Sequence, residues 1–163
     1  RDETMDDVEA EQVIRLVQKV YYEKSGYDDE AASRGGRQLI TDERIREIHR
    51  LHTDRPDIVK QICGERNGKM VCRCVGILMN DWFDLSKKRV EIFLICVDRD
   101  EDTKDAPQKM MELLIEWAKE KKADFMQMSF DTQWKGSAHL VNVMEERYGF
   151  KPKEITYYKS LRE

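Results

Sequence analysis

The stretch from residue 89 to residue 130, RVEIFLICVDRDEDTKDAPQKMMELLIEWAKEKKADFMQMSF, decides the fold. It opens with an almost entirely apolar run, which predicts a strand that is covered on both faces. An acidic turn follows, then a helix over 107–122 with a broad apolar stripe, then a second strand over 124–130. A strand, a helix and a strand in this order predict two parallel strands joined by a right-handed crossover.

The rest of the chain predicts the elements around this unit. Helices are expected over 8–20 and after Thr41, and Asn67-Gly68 marks a tight hairpin between two strands. "SAHLVNVMEERYGF" predicts a further helix that ends at its glycine, and "EITYYKSL" predicts a closing strand. We therefore expect one domain over 1–163 of the α/β (α+β) class, with a mixed, mostly antiparallel sheet that contains a parallel pair and is flanked by helices.

The composition excludes several classes of protein. The chain is 40% hydrophobic and 38% charged, with a formal net charge of −4. A nucleic-acid-binding protein normally presents a basic surface, so nucleic acid is not a predicted partner. The apolar runs are too short to span a bilayer, and the acidic N-terminal stretch does not resemble a signal peptide, so no membrane association is predicted. We expect a cytoplasmic protein.

The cysteines and histidines allow two interpretations. The four cysteines lie in or beside apolar runs, which is typical of buried reduced thiols. As an alternative, His49 and His52 share a helix face, and Cys72 and Cys74 share a strand face, as zinc ligands do. Because nothing in the sequence requires the two pairs to meet, no metal site is predicted.

Three phrases carry a resemblance to a known family. "FLICVDRD", "PQKMMELLIEWAKEKKADFMQMSF" and "VMEERYGFKPKEITYYKSL" follow one another at spacings similar to those of the GNAT acetyltransferase superfamily. "YYEKSGY" looks like members encoded by phages, whose location would be the host cytoplasm or the virion. The resemblance implies an acyl-CoA-dependent N-acetyltransferase, which transfers an acetyl group from acetyl-CoA directly to a small-molecule or protein amine.

The resemblance also implies where acetyl-CoA would bind. The co-substrate would lie where the two parallel strands diverge, with its pantetheine on the strand backbone and its pyrophosphate on the turn before the helix. The implied cofactor-binding residues are Ile95, Cys96, Val97, Lys104, Asp105 and Ala106.

Two residues are candidates for proton transfer. Glu91 would be the general base, because apolar surroundings favour the neutral form of a carboxyl group and so strengthen it as a base. The alternative is that Glu91 lies at the exposed start of its strand and pairs with Lys88 or Arg89. Tyr148 is the candidate acid, since Glu145 occupies the position of the family's tyrosine. The alternative is that the Tyr148 ring packs on the core with its hydroxyl at the surface.

The turn departs from the family's Q/R-x-x-G-x-G/A motif, which falls on 102–107. Asp102 replaces the amide or basic residue, Asp105 replaces the first glycine, and Pro107 has no N–H to donate. We expect the acids to repel a pyrophosphate, and Asp105 or a neighbouring residue to cap the helix in its place. The motif is therefore predicted to be degenerate, with acetyl-CoA bound more weakly than about 1 mM.

A second hypothesis follows from this degenerate motif. The chain would be a non-catalytic GNAT-fold binding or structural protein that has lost CoA binding, such as a phage virion component, and would have a protein partner. Trp82 and Phe83, in the loop "NDWFDLSKKR", would line a pocket or a partner surface, or would cover the sheet edge. The sequence leaves both hypotheses open.

Overall fold

The structure is a computed structural model that describes residues 3–23, 41–130 and 137–157, together with Lys159 and Leu161. Helix α1 spans Glu3–Val17 and continues as a π-helical segment, Gln18–Glu23. The later elements are α2 (Asp42–Asp54), β1 (Val59–Arg66), β2 (Lys69–Asn80), β3 (Lys88–Val97), α3 (Ala106–Glu120), β4 (Phe125–Met128) and α4 (Ser137–Tyr148).

The four described strands form one sheet in the order β1-β2-β3-β4. The first two pairs are antiparallel, and β3 and β4 are parallel, which confirms the predicted parallel pair. The β3–β4 ladder runs from Arg89↔Phe125 to Ile92↔Met128. β3 continues to Val97 beyond the last of these pairs, so the two strands stop pairing midway along β3, as expected for strands that diverge.

Two short sequence patterns adopt the local structures that they predict. The Thr41 hydroxyl accepts a hydrogen bond from the Arg44 N–H at 3.1 Å and caps the start of α2. Asn67 and Gly68 have φ values of 53° and 74° and connect β1 to β2. Positive φ at both central residues is the geometry that an Asn-Gly hairpin favours.

The predicted closing strand is wrong for the residues that the structure describes. Residues 151–157 adopt neither helix nor strand, and all of them are exposed. Side chains of this segment contact β4; the Lys153 Nζ, for example, lies 4.7 Å from the centre of the Phe125 ring. A strand requires a partner for its backbone, and an apolar alternation alone does not provide one.

The core lies on both faces of the sheet. On one face, the apolar residues of α3 pack against β2 and β3, including Val90 and Ile92. On the other face, α1 and α2 pack against β1, β2 and β3, and Cys96 belongs to this second cluster. Because side chains alternate along a strand, Glu91 points to the face of α1 and α2, away from α3.

Two glycines allow α3 to approach the sheet closely. A Cβ atom on Gly76 of β2 would lie 2.8 Å from Leu114 Cδ1 and 3.0 Å from Val90 Cγ1. A Cβ atom on Gly64 of β1 would lie 2.5 Å from Cys72 Sγ and 3.3 Å from Ala106 Cβ, at the start of α3. Both positions therefore exclude a side chain for a packing reason.

We expect Gly76→Ala to destabilise the protein by about 1–3 kcal/mol, because the added methyl group overpacks the interface with α3. Urea unfolding followed by circular dichroism measures this change. Leu114→Val removes the atom that clashes, so the double variant Gly76→Ala, Leu114→Val should be less destabilised than the sum of the two single variants. Strict additivity would show that the two side chains do not meet.

Candidate functional site

The turn after β3 begins with a buried carboxylate. Asp98 is 3% exposed, and its N–H donates to the Val71 carbonyl at 2.8 Å, which extends the ladder between β2 and β3. One carboxylate oxygen accepts the Asp100 N–H at 3.1 Å, and the other lies 2.7 Å from Lys19 Nζ in the π-helical segment. The hydrogen bond to Asp98 raises the pKa of Lys19. Asp98 therefore fixes where β3 ends and ties that point to the end of α1.

The other acids of the turn have basic partners as well. The ion pairs are Asp100–Lys19 at 3.8 Å, Glu101–Lys69 at 2.6 Å and Asp105–Lys109 at 3.1 Å. Four of the five acids in 98–105 thus have a basic nitrogen within 4 Å. The sequence predicted that these acids would repel an anion, but that expectation counted only the bases within the turn. Bases from the π-helical segment, β2 and α3 offset much of the negative charge.

The predicted capping of α3 by the Asp105 carboxylate is wrong. Asp105 precedes the helix, but its side chain makes no capping hydrogen bond. Instead, the carboxylate accepts a hydrogen bond from Lys109, one turn further along, and this bond lowers the pKa of Asp105. The positive charge of Lys109 lowers this pKa further, and Arg66 at the end of β1 contributes in the same direction. The carboxylate therefore does not occupy the start of the helix.

In this turn, a residue other than glycine adopts the backbone conformation that glycine usually provides. Lys104 has a φ of 47°, in the left-handed region that glycine usually occupies. The Ala106 N–H donates to the Thr103 carbonyl at 3.0 Å, so this donor is already used inside the turn. Pro107 lies in the first turn of α3 and has no N–H. The turn therefore offers an anion fewer backbone donors than a glycine-rich turn does, and side-chain charge matters correspondingly more.

We expect Lys19→Met to lower the melting temperature more than Lys69→Met does. The first change leaves the buried Asp98 carboxylate without its cation, whereas the second breaks a pair whose side chains are 59% and 37% exposed. Differential scanning calorimetry at pH 7 measures both variants against the unmodified protein. Equal shifts would show that the Asp98 pair is no more important than a surface ion pair.

Glu91 lies in the middle of the part of β3 that pairs with both neighbours. It is opposite Ile77 of β2 on one side and Gln127 of β4 on the other. Its side chain is 22% exposed, and its Oε2 lies 3.4 Å from Arg89 Nε. The pairing with Arg89 that the sequence offered as an alternative is present, although Glu91 is not at the exposed start of the strand. Its role as a base stays a prediction.

Arg89 joins Glu91 to a second carboxylate. Arg89 Nη1 donates to Asp81 Oδ1 at 2.9 Å, and both side chains are 8% exposed. Desolvation raises the pKa of Asp81, but the hydrogen bond from Arg89, backbone hydrogen bonds in the following loop and the charge of Lys153 outweigh it, so this pKa lies below its ordinary value. Arg89 is thus shared between two acids at one end of the sheet.

Tyr148 does not lie with Glu91. It is the last residue of α4, and its ring packs against the apolar cluster on the α3 face of the sheet. Burial raises the pKa of the Tyr148 hydroxyl above its ordinary value, and Glu112 of α3 adds to this effect. Since Glu91 points to the opposite face, the structure does not bring the two predicted catalytic residues together. The ring packs on the core, as the alternative for Tyr148 proposed.

Sequence reasoning missed a buried polar network on the face of α1 and α2. Arg73 of β2 is 0% exposed, and its Nε and Nη2 atoms donate to Gln61 Oε1 at 2.9 and 2.7 Å. Gln61 Nε2 lies 3.0 Å from His49 Nδ1 on α2. The available signal was a lone arginine inside the apolar run "MVCRCV". A charge at a core position of a strand requires polar partners nearby.

The histidine and cysteine pairs lie on different faces of the sheet. His49 packs toward β1 on the α2 side, whereas Cys72 and Cys74 belong to the cluster under α3. Across the described residues, no group of three or more potential ligands is arranged to hold a metal ion. Among the same residues, no helix is long and apolar enough to cross a membrane.

Known proteins that resemble this chain are found among solved structures. No protein-family model and no curated protein sequence matches the chain. Among solved structures, aminoglycoside N-acetyltransferase AAC(6')-Iy in complex with CoA has a TM-score of 0.67 at 11% identity, covering 96% of this chain and 90% of that chain. A predicted acetyltransferase from Clostridium acetobutylicum with acetyl-CoA has a TM-score of 0.61 at 10% identity, covering 93% and 92%.

A third match has a different ligand. The aminoglycoside acetyltransferase meta-AAC0020, from an uncultured soil metagenomic sample and in complex with sisomicin, has a TM-score of 0.63 at 13% identity, covering 94% of this chain and 89% of that chain. Identities this low establish the fold alone. The resemblance seen in the sequence is thus confirmed at that level, and the chain has the mixed α/β fold of the GNAT acetyltransferases.

Proposed function

We propose that the chain is an acyl-CoA-dependent N-acetyltransferase that uses acetyl-CoA and transfers the acetyl group directly to an amine. The observation that carries this proposal is the parallel pair β3–β4, whose pairing ends at Ile92↔Met128. The turn after β3 leads into α3, and most of its acids are ion-paired. Solved structures of the same fold contain CoA or acetyl-CoA, which supports the choice of donor.

The turn after β3 has some, but not all, of the features that would bind acetyl-CoA. The start of α3 has no side-chain cap, and an uncapped helix N-terminus favours an anion. Pro107 has no backbone N–H to donate to the diphosphate, so we assign a larger share of diphosphate binding to the positive charges of Lys104 and Arg66. We further propose that the backbone of Ile95–Val97 binds the pantetheine. Asp105 and Ala106 would belong to the turn that binds the diphosphate. When bound, acetyl-CoA would supply the acetyl group as an activated thioester.

Glu91 is the proposed general base. It would accept the proton that the amine loses as it attacks the thioester carbonyl, and Arg89 would hold the carboxylate in its orientation. The C–S bond would break as the C–N bond forms, and the thiolate that leaves would take a proton from solvent. Tyr148 has no part in this proposal because it packs on the opposite face of the sheet. The protein's net charge of −4 favours a cationic acceptor, either a small polyamine-like molecule or a lysine side chain of a protein. The proposed place of action is the cytoplasm, or the host cytoplasm for a phage-encoded protein.

The sequence alone predicts binding weaker than about 1 mM, but we now expect calorimetry to give a dissociation constant for acetyl-CoA below that value, because most acids of the turn are already paired. Lys104→Ala should weaken binding at least about five-fold, most clearly at low salt. Lys122→Ala is the matched control, since Lys122 is also an exposed lysine with positive φ but lies beyond the opposite end of α3. Equal effects of the two changes would show that the turn before α3 does not hold the diphosphate.

A second candidate function rests on the composition of this turn. Pro107 and the ion-paired Asp105 stand where the family motif has small residues, and Asp102 replaces its basic or amide residue. These changes favour a GNAT-fold binding or structural protein without CoA, with a protein as its partner. Failure to detect acetyl-CoA binding at about 5 mM would support this candidate and reject the enzyme.

If the protein turns over acetyl-CoA, we expect Glu91→Gln to lower kcat by about 10²-fold near neutral pH, as for a lost general base. Thiol release in the presence of a panel of polyamines, aminoglycosides and lysine peptides measures the rate. The fold should tolerate this change, because Arg89 keeps its 2.9 Å contact with Asp81. Glu65→Gln, at an exposed position of β1, is the control. A Glu91→Gln rate near that of the unmodified protein would assign Glu91 a structural role.

A further inference from the structure

Both histidines of α2 contact one residue of β1. Gln61 donates its backbone N–H to His52 Nδ1 at 3.2 Å, and its side-chain Nε2 lies 3.0 Å from His49 Nδ1. His49 is 3% exposed and His52 is partly buried, so neither contact is made in open solvent. β1 is an edge strand of the sheet that the described residues form. The helix is thus attached to this edge through two imidazole nitrogens.

Arg73 determines which atom of the Gln61 amide faces His49. A guanidinium group has donors only, and its Nε and Nη2 both donate to Gln61 Oε1, at 2.9 and 2.7 Å. The other end of the amide is therefore the NH2 group, which also has donors only. His49 Nδ1 must accept from this group, so the proton of the neutral His49 ring lies on Nε2.

The same reasoning applies to His52. A backbone N–H can only donate, so His52 Nδ1 accepts from Gln61 and the proton of the neutral ring lies on Nε2. The Val59 carbonyl lies 3.5 Å from the same nitrogen, at the limit of a hydrogen bond. A protonated His52 could donate to Val59 instead, but the Gln61 N–H would then lose its acceptor. Both contacts therefore require a histidine whose Nδ1 carries no proton.

Protonation of either ring opposes its contact with β1. A histidine cation carries a proton on both nitrogens, so its Nδ1 can no longer accept a hydrogen bond. On His49 the new proton would meet the amide protons of Gln61, and turning the amide would remove the acceptor that Arg73 uses. A buried donor that loses its acceptor costs free energy. The attached state of α2 therefore favours two neutral histidines.

The charged groups that face these rings do not remove the conflict. From α1, Glu9 Oε2 lies 3.8 Å from His49 Nε2 and favours a cation, but it is 37% exposed and faces the nitrogen that carries a proton in both forms. From β2, the charge of Arg73 disfavours a second cation beside it. From β1, burial raises the pKa of Cys63 to about 11, so this thiol is neutral near pH 7. Lys60 points to the α3 face of the sheet, because side chains alternate along β1.

We propose that α2 is an acid-sensitive latch on the edge of the sheet, held to β1 while its two histidines are neutral and released when they are protonated. Histidine is the side chain whose charge ordinarily changes within the physiological pH range. The released helix binds more protons than the attached one, so the attached state loses stability as the pH falls below about 6.5. The apolar contacts of Ile45 and Ile48 are present at every pH, so release is a local equilibrium whose open population rises in acid.

Release of α2 would uncover one face of the sheet. Ile48 packs against Val59 and Val75, on the face to which Glu91 points. Acid would therefore open the face that carries the candidate base. The latch does not depend on the proposed enzymatic function, because it uses neither acetyl-CoA nor an acceptor amine.

Hydrogen exchange of the full chain, followed by mass spectrometry at about pH 7.5 and about pH 5.5, tests the proposal. Protection is corrected for the pH dependence of the intrinsic exchange rate. Each histidine that is neutral when attached and titrates near pH 6.5 when released increases the opening about ten-fold over this interval, so two increase it about 100-fold. We expect this loss of protection in 42–54 and a much smaller loss in α3, which packs on the opposite face. Unchanged protection of 42–54, or an equal loss in α3, would overturn the latch.

Asparagine variants identify the rings that respond. Asparagine places an acceptor oxygen near the position of Nδ1 and does not titrate. His49→Asn and His52→Asn should each leave a change of about ten-fold, and the double variant should leave almost none. His139→Asn is the matched control, since His139 is exposed on α4, and it should keep the full change of about 100-fold. A double variant that keeps the full change would overturn the role of the histidines.

The ring nitrogens of the unmodified protein provide a test that needs no variant. In isotope-labelled protein, long-range proton–nitrogen spectra distinguish a protonated ring nitrogen from an unprotonated one. We expect the Nδ1 atoms of His49 and His52 to be unprotonated at about pH 7.5, whereas the exposed His139 should populate both tautomers. A proton on Nδ1 of either α2 histidine would overturn the hydrogen-bond assignment on which the latch rests.

Discussion

The close approach of α3 to the sheet is the constraint on which the rest of the structure depends. Leu114 is fully buried and lies against the bare backbone of Gly76, where a methyl group would already be too close. α3 is the crossover that joins β3 to the parallel strand β4, so its packing places both ends of that connection on the sheet. The start of α3, at Ala106, is placed in the same way by Gly64. The crossover, the short parallel ladder and the site of the acidic turn all follow from this packing.

The acidic turn illustrates how contacts that are distant in sequence change the meaning of a motif. Its acids imply a strongly negative surface when they are counted in the sequence alone. In the fold, Lys19 comes from the segment after α1 and Lys69 from the start of β2, and each neutralises an acid of the turn. The field at the start of α3 is therefore set by at least three elements. A turn of this composition is compatible with a nearby anion only because the rest of the fold supplies these bases.

The sequence predicted the elements whose causes are local. Thr41 caps its helix and Asn67-Gly68 forms its hairpin because each signal acts within a few residues. The parallel pair was also predictable, since a crossover of this length allows few topologies. Asp105 makes no side-chain cap because its backbone, with φ −93° and ψ 3°, is not in the extended conformation of a capping residue, and its carboxylate pairs with Lys109 instead. The closing strand fails for a different reason: its alternation is real, but a strand exists only where another backbone is available, and no local pattern specifies that.

The candidate base also shows the difference between what a local pattern predicts and what distant contacts add. Glu91 could be identified from the sequence as an acid in an apolar run, but its environment could not, because Arg89 is also shared with Asp81 across the sheet end. The Arg89–Asp81 contact, at 2.9 Å, is shorter than the Arg89–Glu91 contact, at 3.4 Å. Arg89 therefore keeps a buried partner when the charge of Glu91 changes. A carboxylate that can gain a proton without leaving a buried cation unpaired is suited to proton transfer, so the structural role of Asp81 is what would leave Glu91 available for chemistry.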